Sequence, residues 1–537
     1  MKHISLRGKF VLAAACIVSV VNSLIFMTVA TDLALILDHA QAGDGAAMCQ
    51  TTLQAVLLLL LWYGLGIAES FLRTRFLTAG ELEMKGSIMK SILQRPLQLF
   101  RTQNDAYYLN LLTADIDAYR TDQLASIPWF IAALANFITA GWMIFRLDPL
   151  LLLAGCAVIV LPLLGQNLFA ALQNKAKLAV SIASEAHSGV LKETIEGYAA
   201  IKENNAADTM FSRYQAVSFE KRRKEERNIM IARISQKTLN TIACLSNLIG
   251  MFVGGLLVLQ GHFSAPMMIA ATSYFGEFSS AFSSMCQNIV EYRSTRSIAE
   301  KLNSERSSSD IFCPETQRLT SSTIMYEAVG FGFGDKQLYQ NFNYTFLPGG
   351  CYCIVGESGS GKSTLVKLLL KHYENYAGTI KLDGHDIRAM AEDELYRHVG
   401  LVSQTPYLFN ASLYENITMF SNSPAQTSTE YQNLLRALNL ETLAERVQND
   451  ALGDFGDNIS GGERQRINIA RVLRDNKGII IFDEPTTGLD PENAKMINDF
   501  IFGLDGVTRI VISHDWSPEY LDCFDAVITV DGNLVQK

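Results

Sequence analysis

Long apolar runs dominate the first 300 or so residues of this 537-residue chain, whereas the remainder alternates short apolar stretches with polar loops. A membrane span needs roughly 20 apolar residues. Runs of about that length or longer occupy residues 10–37, 53–72, 127–145, 150–172, 239–259 and 266–292. The pattern predicts an all-α domain with six membrane spans over residues 1–303, a polar linker over 304–320 and a soluble α/β domain over 321–537.

The basic residues indicate how the predicted spans are oriented. Lys2, Arg7 and Lys9 precede the first span, and the segments between spans two and three and between spans four and five are rich in lysine and arginine. The loop at 38–52 has neither. Because cytoplasmic loops carry the excess of positive charge, we expect a multi-pass protein of the cytoplasmic membrane with the α/β domain and both termini in the cytoplasm.

The two basic segments are long but are not loop-like in composition. They show helical periodicity and contain few glycines or prolines, so we expect the spans to continue as helices about 35 Å beyond the bilayer. The net charge is −9, and the basic run at 221–224 is interpreted as a solvated helix face rather than a nucleic-acid site. The nine cysteines form no CxxC pair, which gives no indication of a metal or redox motif.

A glycine-rich segment lies between a predicted strand at 351–355 and a predicted helix at 364–370. It fits the phosphate-loop pattern GxxxxGK[ST], in which backbone N–H groups and a helix N-terminus surround phosphate oxygens. We expect Lys362 to bind the β- and γ-phosphates of ATP and Ser363 to bind Mg²⁺. The candidate nucleotide ligands in this segment are Gly356, Glu357, Ser358, Gly359, Ser360, Gly361, Lys362, Ser363 and Thr364.

Two further motifs follow in the same predicted domain. An apolar run at 479–482 ends in Asp483 and Glu484, which places two carboxylates at the carboxyl edge of a parallel sheet, where ligands bind. Asp483 is a candidate Mg²⁺ ligand through water, and Glu484 is the candidate base that orients the attacking water. Between the motifs, Ser460, Gly461 and Gly462 open an amphipathic helix and form a second candidate anion site.

This ordered set of motifs resembles the ATP-binding cassette (ABC) transporter family, and six spans before the cassette resemble an exporter-type half-transporter. The resemblance implies that Gln404 touches Mg²⁺, that Asp490 belongs to the D-loop, and that His514, after the predicted strand at 507–513, contacts the γ-phosphate. It also implies that the signature at Ser460, Gly461 and Gly462 contacts nucleotide bound by a partner cassette. The catalytic residues predicted in this way are Lys362, Gln404, Glu484 and His514.

The chain departs from the family pattern in two motifs. Phe333 stands where the family usually has the tyrosine that stacks on adenine, and the signature reads ISGGE rather than LSGGQ. A stacking contact needs only an aromatic face, so phenylalanine can serve. Neighbouring Phe331 is expected to be core. In the membrane half, segments 113–117 and 201–206 resemble the intracellular segments that dock on cassettes, because both lie near the midpoints of the long loops.

A phosphate loop and a signature helix of one domain cannot easily close on the same nucleotide, so we expect two cassettes to pair head to tail in a homodimer or a heterodimer. The predicted function is an ATP-driven efflux pump that moves a small molecule, peptide or lipid by alternating access. An exporter-fold importer of a metal-chelating compound and a lipid flippase remain alternatives. Asp32, Glu69 and Glu277 lie inside predicted spans and are candidate pathway residues, although the residues do not identify the cargo.

Overall fold

A computed structural model describes residues 6–262, 264–307, 322–334, 336–423, 425–448, 450–453, 458–530 and 535–536. These residues belong to two compact units, the first within Met1–Arg95 and Phe100–Ser309 and the second within Pro96–Leu99 and Asp310–Lys537. The predicted linker at 304–320 lies outside the described residues from 308 onward. Its boundaries therefore stay a prediction.

The N-terminal part of the chain is helical. Three of its helices have 49, 48 and 53 residues, so at 1.5 Å per residue each is about 70–80 Å long, more than twice the hydrocarbon thickness of a bilayer. Two π-helical turns, Leu111–Asp115 and Tyr119–Leu124, interrupt the shorter helices. In chain order the helices are α1 (Leu6–Gln41), α2 (Gly45–Leu93), α3 (Leu97–Phe100), α4 (Asp105–Asn110), α5 (Ile116–Ala118), α6 (Ala125–Leu147), α7 (Pro149–Glu196), α8 (Tyr198–Glu203), α9 (Ala207–Leu259), α10 (Met267–Ser294) and α11 (Arg296–Ser307).

Four helical segments of the described chain are long and apolar enough to cross a membrane: Leu6–Gln41, Gly45–Leu93, Asp105–Leu147 and Ala207–Leu259. The predicted span at 150–172 falls in α7, where the side chains of 157–168 lie outside the described residues. The predicted span at 266–292 falls in α10, whose apolar residues are interrupted by several serines and Glu277. Both predicted spans are helical, but the count of six spans is not confirmed.

Helix α10 packs at the centre of the first unit through aromatic side chains that meet glycines of its neighbours. Phe275 and Phe278 are buried in a cluster with residues of α1, α6, α7 and α9. A Cβ atom at Gly250 of α9 would lie 2.4 Å from Phe275, and one at Gly155 of α7 would lie 3.2 Å from both rings. Glycine at these positions therefore allows the helices to approach closely in a region where packing, not the hydrophobic effect, holds helices together.

The first predicted docking segment, 113–117, is partly buried inside the helical unit, and its docking on a cassette stays a prediction. Asp115, within the predicted segment 113–117, is buried inside the helical unit, where it accepts hydrogen bonds from Ser181 Oγ (2.7 Å) and Lys301 Nζ (2.8 Å). The short helix α3 precedes it, and Pro96–Leu99 groups instead with the second unit, where the Leu97 amide donates to Glu392 Oε2 (3.1 Å). The chain does not reverse near the middle of the long segment between the spans, as predicted. It reverses beside Pro96, because α2 ends soon before this proline, which cannot continue a helix.

The second docking segment and the basic run fall on helices. Segment 201–206 overlaps α8, the short helix between the long helices α7 and α9. The basic run at 221–224 lies on α9, where Lys221, Arg222 and Lys224 pair with glutamates four residues away. Such i,i+4 pairs are typical of a solvated helix face.

The second unit contains two β-sheets. A four-stranded antiparallel sheet has the order β2-β1-β4-β5, and a six-stranded sheet has the order β10-β9-β3-β8-β7-β6. The strands are β1 (Ile324–Phe333), β2 (Lys336–Phe346), β3 (Cys351–Gly356), β4 (Ala377–Leu382), β5 (His385–Asp386), β6 (Val399–Val402), β7 (Ile479–Asp483), β8 (Thr508–Ile512), β9 (Ala526–Val530) and β10 (Val535–Gln536). The helices are α12 (Lys362–Leu369), α13 (Glu392–His398), α14 (Leu413–Thr418), α15 (Thr429–Ala437), α16 (Glu441–Val447), α17 (Gly461–Leu473), α18 (Pro491–Phe502) and α19 (Pro518–Leu521), with a 3₁₀ turn at Ile387–Ala389.

The larger sheet brings the predicted motifs to one edge. Strands β6, β7, β8, β3 and β9 are parallel neighbours, and all six residues of β3 are buried. Hydrophobic clusters cover both faces of the sheet, as expected for parallel strands. Because the strands are parallel, Gly356, Asp483 and Ile512 end at the same edge.

Asn416 is fully buried and holds the segment 409–412 in place. Its Nδ2 donates to the carbonyl oxygens of Phe409 (3.0 Å) and Ala411 (3.2 Å), and its Oδ1 accepts from the Phe409 amide (2.9 Å). Arg471 of α17 donates to the Asn416 carbonyl (2.9 Å). One side chain thus satisfies several buried backbone groups.

We expect Asn416→Ala to destabilise the second unit by about 2 kcal/mol or more, because it leaves buried backbone groups without hydrogen-bond partners. A lowered thermal unfolding midpoint of the intact chain in nanodiscs would register the change. Asn433→Ala, which removes an exposed asparagine of α15, is the matched control and should leave the midpoint unchanged. Equal midpoints for the two variants would contradict the assignment.

Candidate nucleotide site

The glycine-rich segment forms a tight loop between β3 and α12. A Cβ atom at Gly356 would lie 2.4 Å from the carbonyl oxygen of Val530 on β9, and one at Gly361, where φ is +111°, would lie 2.6 Å from the Tyr339 hydroxyl. Both positions therefore require glycine. The Ser360 hydroxyl is buried and has no hydrogen-bond partner among the described residues. The loop has the backbone shape and a spare donor that a phosphate group needs.

Lys362 is the first residue of α12, and its side chain folds back along the loop. Its Nζ donates to the carbonyl oxygens of Gly356 (2.8 Å) and Glu357 (3.0 Å). An ammonium group has three protons, so the third can be donated to a phosphate oxygen. Burial lowers the pKa of Lys362, while Glu484 and Asp483 act in the opposite direction. An added phosphate would favour the charged form further.

Ser363 and Asp483 place oxygen ligands side by side. Ser363 Oγ donates to Asp483 Oδ1 over 3.1 Å. Burial raises the pKa of Asp483, and the Ser363 hydrogen bond and the nearby lysines only partly offset this. A divalent cation would stabilise the carboxylate form, and hydroxyl and carboxylate oxygens are ligands that Mg²⁺ prefers. This pair therefore fits a magnesium ion.

Glu484 lies between two of the other predicted catalytic residues. Gln404 Nε2 donates to Glu484 Oε2 (2.7 Å), and His514 Nε2 lies 2.9 Å from Glu484 Oε1. The backbone of Glu484 is in the left-handed region, with φ of +51°, and its amide donates to the Ile512 carbonyl (3.1 Å). Left-handed backbone at a non-glycine residue is uncommon and is concentrated at functional sites. Two side chains from separate segments thus meet at the Glu484 carboxylate.

The signature residues form a second group. Ser460 caps α17 in a reciprocal box, with its amide donating to Glu463 Oε2 (2.8 Å) and its Oγ accepting from the Glu463 amide (3.2 Å). Glu463, one of the two signature residues that depart from the family pattern, also pairs with Arg446 at 3.0 Å. The glutamate therefore has a structural use in this chain, because it satisfies the N-terminus of the signature helix.

Asp490 joins the signature group through Asn493. Asp490 caps α18, accepting from the Asn493 amide (3.0 Å) and from Asn493 Nδ2 (2.6 Å), and Arg466 of α17 donates to Asn493 Oδ1 (2.7 Å). A Cβ atom at Gly462 would lie 3.3 Å from Asn493. Within the described part of the chain, neither Ser460 nor Asp490 hydrogen-bonds to the phosphate loop. The site residues thus separate into a phosphate-loop group and a signature group.

Phe333 ends β1 with 48% of its surface exposed, whereas Phe331 is buried, as predicted. The Phe333 ring contacts Phe331 and Tyr373 edge-on, at centroid distances of 5.0 and 5.3 Å. These two contacts support the ring from the side. An exposed and supported aromatic ring can stack on a base.

Three residues beside the site were missed by the sequence motifs. The Tyr339 hydroxyl donates to the carbonyl of Gly361, and Thr487 Oγ1 lies 3.2 Å from Glu484 Oε2. Asn493 links the D-loop to the signature helix. Thr487 is only three residues after Glu484, so the sequence could have indicated its contact with that side chain. Tyr339 and Gly361 are 22 residues apart in sequence, and no sequence pattern predicted their contact.

The predicted pathway residues of the membrane unit take different positions. Glu69 and Glu277 line a common cavity, whereas Asp32 is buried and is not among the described residues that line it. Glu69 is paired with Arg73, four residues later on α2. Asn136 Nδ2 donates to Glu277 Oε1 over 2.8 Å.

A phosphate loop with a carboxylate pair at the edge of a parallel sheet, preceded by a unit of long apolar helices, defines a membrane protein with a nucleotide-binding domain. Two family models match the chain: one described as "ABC transporter transmembrane region" at residues 12–282 and one described as "ABC transporter" at residues 339–487. The chain therefore belongs to the ABC transporter family and is an integral membrane protein. The order of the two regions is that of an exporter-type half-transporter, as the motifs predicted.

Curated relatives share modest identity with the chain. The lactococcin-G-processing and transport ATP-binding protein LagD of Lactococcus lactis subsp. lactis is 25% identical over 465 residues, which is 83% of this chain and 64% of LagD. The ATP-dependent lipid A-core flippase of Francisella tularensis subsp. holarctica is 32% identical over 216 residues, 40% of this chain and 35% of the relative. The chain thus covers less than two thirds of either relative.

Two further proteins match over more of their length. The ATP-dependent lipid A-core flippase of Pseudomonas aeruginosa is 26% identical over 504 residues, covering 90% of this chain and 81% of the relative. The solved structure of a bacterial Atm1-family ABC exporter with ATP bound matches with a TM-score of 0.81 at 18% identity, covering 98% of this chain and 94% of that chain. The latter similarity establishes a shared fold.

We expect Lys362→Ala to weaken nucleotide binding on the order of tenfold to a hundredfold, because a charge-assisted hydrogen bond to phosphate is lost. Titration of the purified chain in nanodiscs with a fluorescent ATP analogue measures the change. Lys381→Ala, which removes a lysine paired with Glu327 on the smaller sheet, is the control and should bind as the unaltered chain does. Unchanged affinity in Lys362→Ala would show that this loop does not bind the phosphates.

We expect Phe333→Ala to weaken ATP binding by about fivefold to a hundredfold, since stacking of a base on an aromatic ring contributes about 1–3 kcal/mol. Phe333→Tyr keeps the ring and should bind ATP normally. The same fluorescence titration, repeated in competition with ATP and with inorganic triphosphate, separates base stacking from phosphate binding. If both variants behave alike, the base stacks elsewhere.

Proposed function

We propose that this protein is an ATP-driven efflux pump that hydrolyses ATP between two paired cassettes and moves its cargo across the cytoplasmic membrane. The observation that carries the proposal is the position of Glu484, which contacts both Gln404 and His514 at the sheet edge where the phosphate loop begins. A carboxylate in that position can orient a water molecule for attack on the γ-phosphate.

The phosphate-loop group has a separate task for each residue. Lys362 would stabilise the β- and γ-phosphates, while the loop amides and the Ser360 hydroxyl hold the remaining phosphate oxygens. Ser363, Asp483 and Gln404 would hold Mg²⁺, which when bound neutralises charge on the phosphates. His514 would contact the γ-phosphate from the end of β8, and Phe333 would stack on the adenine.

The signature group would act on a different nucleotide. Ser460, Gly461 and Gly462 open α17, so their amides form the positive end of a 13-residue helix. Because Ser460 and Asp490 belong to a set of contacts separate from the phosphate loop, we infer that they serve the ATP of a partner cassette. The partner is a second copy of this chain or a different half-transporter, which makes ATP binding and dimerisation one event.

The long helices would carry closure of the cassettes to the membrane. Helices α2, α7 and α9 exceed the bilayer thickness, so each can extend from the hydrocarbon core into the cytoplasm without a break. The basic segments of the sequence support a cytoplasmic position for those extensions, the cassette and both termini. A change in cassette separation would then switch the accessible side of the membrane unit.

A lipid flippase is the second candidate, because the Pseudomonas aeruginosa relative carries that name. The two functions differ in what crosses the bilayer. In proteoliposomes, an efflux pump accumulates a soluble cargo when ATP is supplied on the cassette side, whereas a flippase moves headgroup-labelled lipid between leaflets. Lipid movement without cargo accumulation would favour the flippase.

We expect Glu484→Gln to retain ATP binding and to lose steady-state hydrolysis by about a hundredfold or more, because the group that orients the water no longer accepts a proton. ATPase turnover and binding of a fluorescent ATP analogue are measured on the same nanodisc preparation. Glu519→Gln removes an exposed carboxylate of α19 and should hydrolyse ATP normally. Normal turnover by Glu484→Gln would exclude this residue as the base.

A further inference from the structure

The membrane unit encloses a cavity of about 690 Å³ that the nucleotide site does not use. Its walls come from α1, α2, α6, α9 and α10, so it lies entirely within the first unit. The volume is in the range of sites that hold a drug-sized molecule. The lining is unusually rich in ionisable and amide side chains for a surface made of membrane helices, which makes it a candidate cargo site.

The charges in this cavity do not balance. Three carboxyl groups, of Glu69, Glu277 and Glu291, face one guanidinium, that of Arg73, among the described lining residues. Arg73 donates to Glu69, and Ser19 donates to the same carboxyl group. The positive charge of Arg73 therefore balances the negative charge of Glu69. Two carboxyl groups are left on α10 for which the cavity supplies no cation.

Neutral amides, rather than cations, contact these two carboxyl groups. Asn136 Nδ2 donates to Glu277 Oε1 (2.8 Å), and Gln287 Nε2 donates to Glu291 Oε1 (2.9 Å). Neither glutamate makes a salt bridge within the part of the chain that the structure describes. Lys177 of α7 acts on Glu291 electrostatically but forms its salt bridge with Asp122, at 2.7 Å. Both glutamates are half-buried, and a carboxylate that is partly removed from water is stabilised by a nearby cation.

The cavity also holds polar atoms that lack partners. Asn22 Oδ1, Gln287 Oε1 and Arg73 Nε are buried lining atoms with no hydrogen-bond partner among the described residues. Two of these three are acceptors that N–H groups would satisfy. The exposed rings of Trp62 and Trp129 line the same space, and Arg73 lies 4.0 Å from the centre of the Trp129 ring. The cavity thus combines negative charge, acceptors and aromatic faces.

We propose that this cavity binds an organic cation that carries N–H donors on an aromatic or otherwise flat body, with Glu277 and Glu291 as its counter-charges. The proposal rests on the proposed transport function and names the class of cargo. An anionic headgroup would be repelled by two carboxyl groups that no lining cation balances, so the charge distribution selects against it.

Rhodamine 123 and fluorescein test the proposal, because they are xanthene dyes of similar size with opposite charge. Fluorescence anisotropy with the intact chain in nanodiscs, without nucleotide, measures binding of each dye. We expect rhodamine 123 to bind and fluorescein to bind at least about tenfold more weakly. Glu277→Gln, which keeps the shape and the contact with Asn136, should weaken rhodamine 123 binding at least about tenfold. Glu277→Asp should restore part of it.

Glu226→Gln removes an exposed carboxylate of α9 outside the cavity and should bind rhodamine 123 as the unaltered chain does. Basal ATPase activity, measured on each preparation, separates the two proposals. If ATP is hydrolysed but both dyes bind equally, or fluorescein binds better, the cation site is wrong and the transport proposal stands. If rhodamine 123 binds equally to Glu277→Gln and the unaltered chain, Glu277 is not a counter-charge.

Discussion

The parallel register of β7, β8 and β3 is the constraint on which the nucleotide site depends. Phosphate groups are bound by backbone amides at the carboxyl end of a strand, and catalysis needs a carboxylate and a metal ligand within reach of the same phosphates. The register pairs Asp483 with Ile512 and Ile354 with Ile512. Segments more than 100 residues apart in sequence therefore end at one edge. Their functional side chains extend from strands whose buried faces cannot slip without exposing the core.

The membrane unit has a different constraint, which is the cost of buried charge. Several of its buried or half-buried ionisable side chains are paired within the unit, such as Arg73 with Glu69, Lys177 with Asp122 and Lys301 with Asp115. Glu277 is held by an amide alone. In a medium that penalises unpaired charge, this difference is what the proposed cation site rests on.

Much of the cassette could be predicted from the sequence because its motifs are local. The strand, loop and helix around Gly356 to Ser363 follow one another along the chain, and so do the strand and carboxylates at Asp483 and Glu484. The contact between Glu484 and Gln404 joins segments 80 residues apart, and neither the residue pattern nor the family resemblance predicted it. The role of Glu463 in capping α17 explains a departure from the family motif that the sequence presented only as a difference.

The sequence by itself determined the order of the two regions, the phosphate loop and the strand that ends in two carboxylates, because hydrophobic periodicity and glycine positions act over short distances. Only the tertiary structure decided where the chain reverses beside Pro96, which carboxyl groups in the membrane cavity lack a cation, and which side chains meet at Glu484. Those outcomes depend on which helices and strands become neighbours. Packing and the pairing of buried polar groups determine which distant segments become neighbours. A pattern of single residues does not encode these interactions.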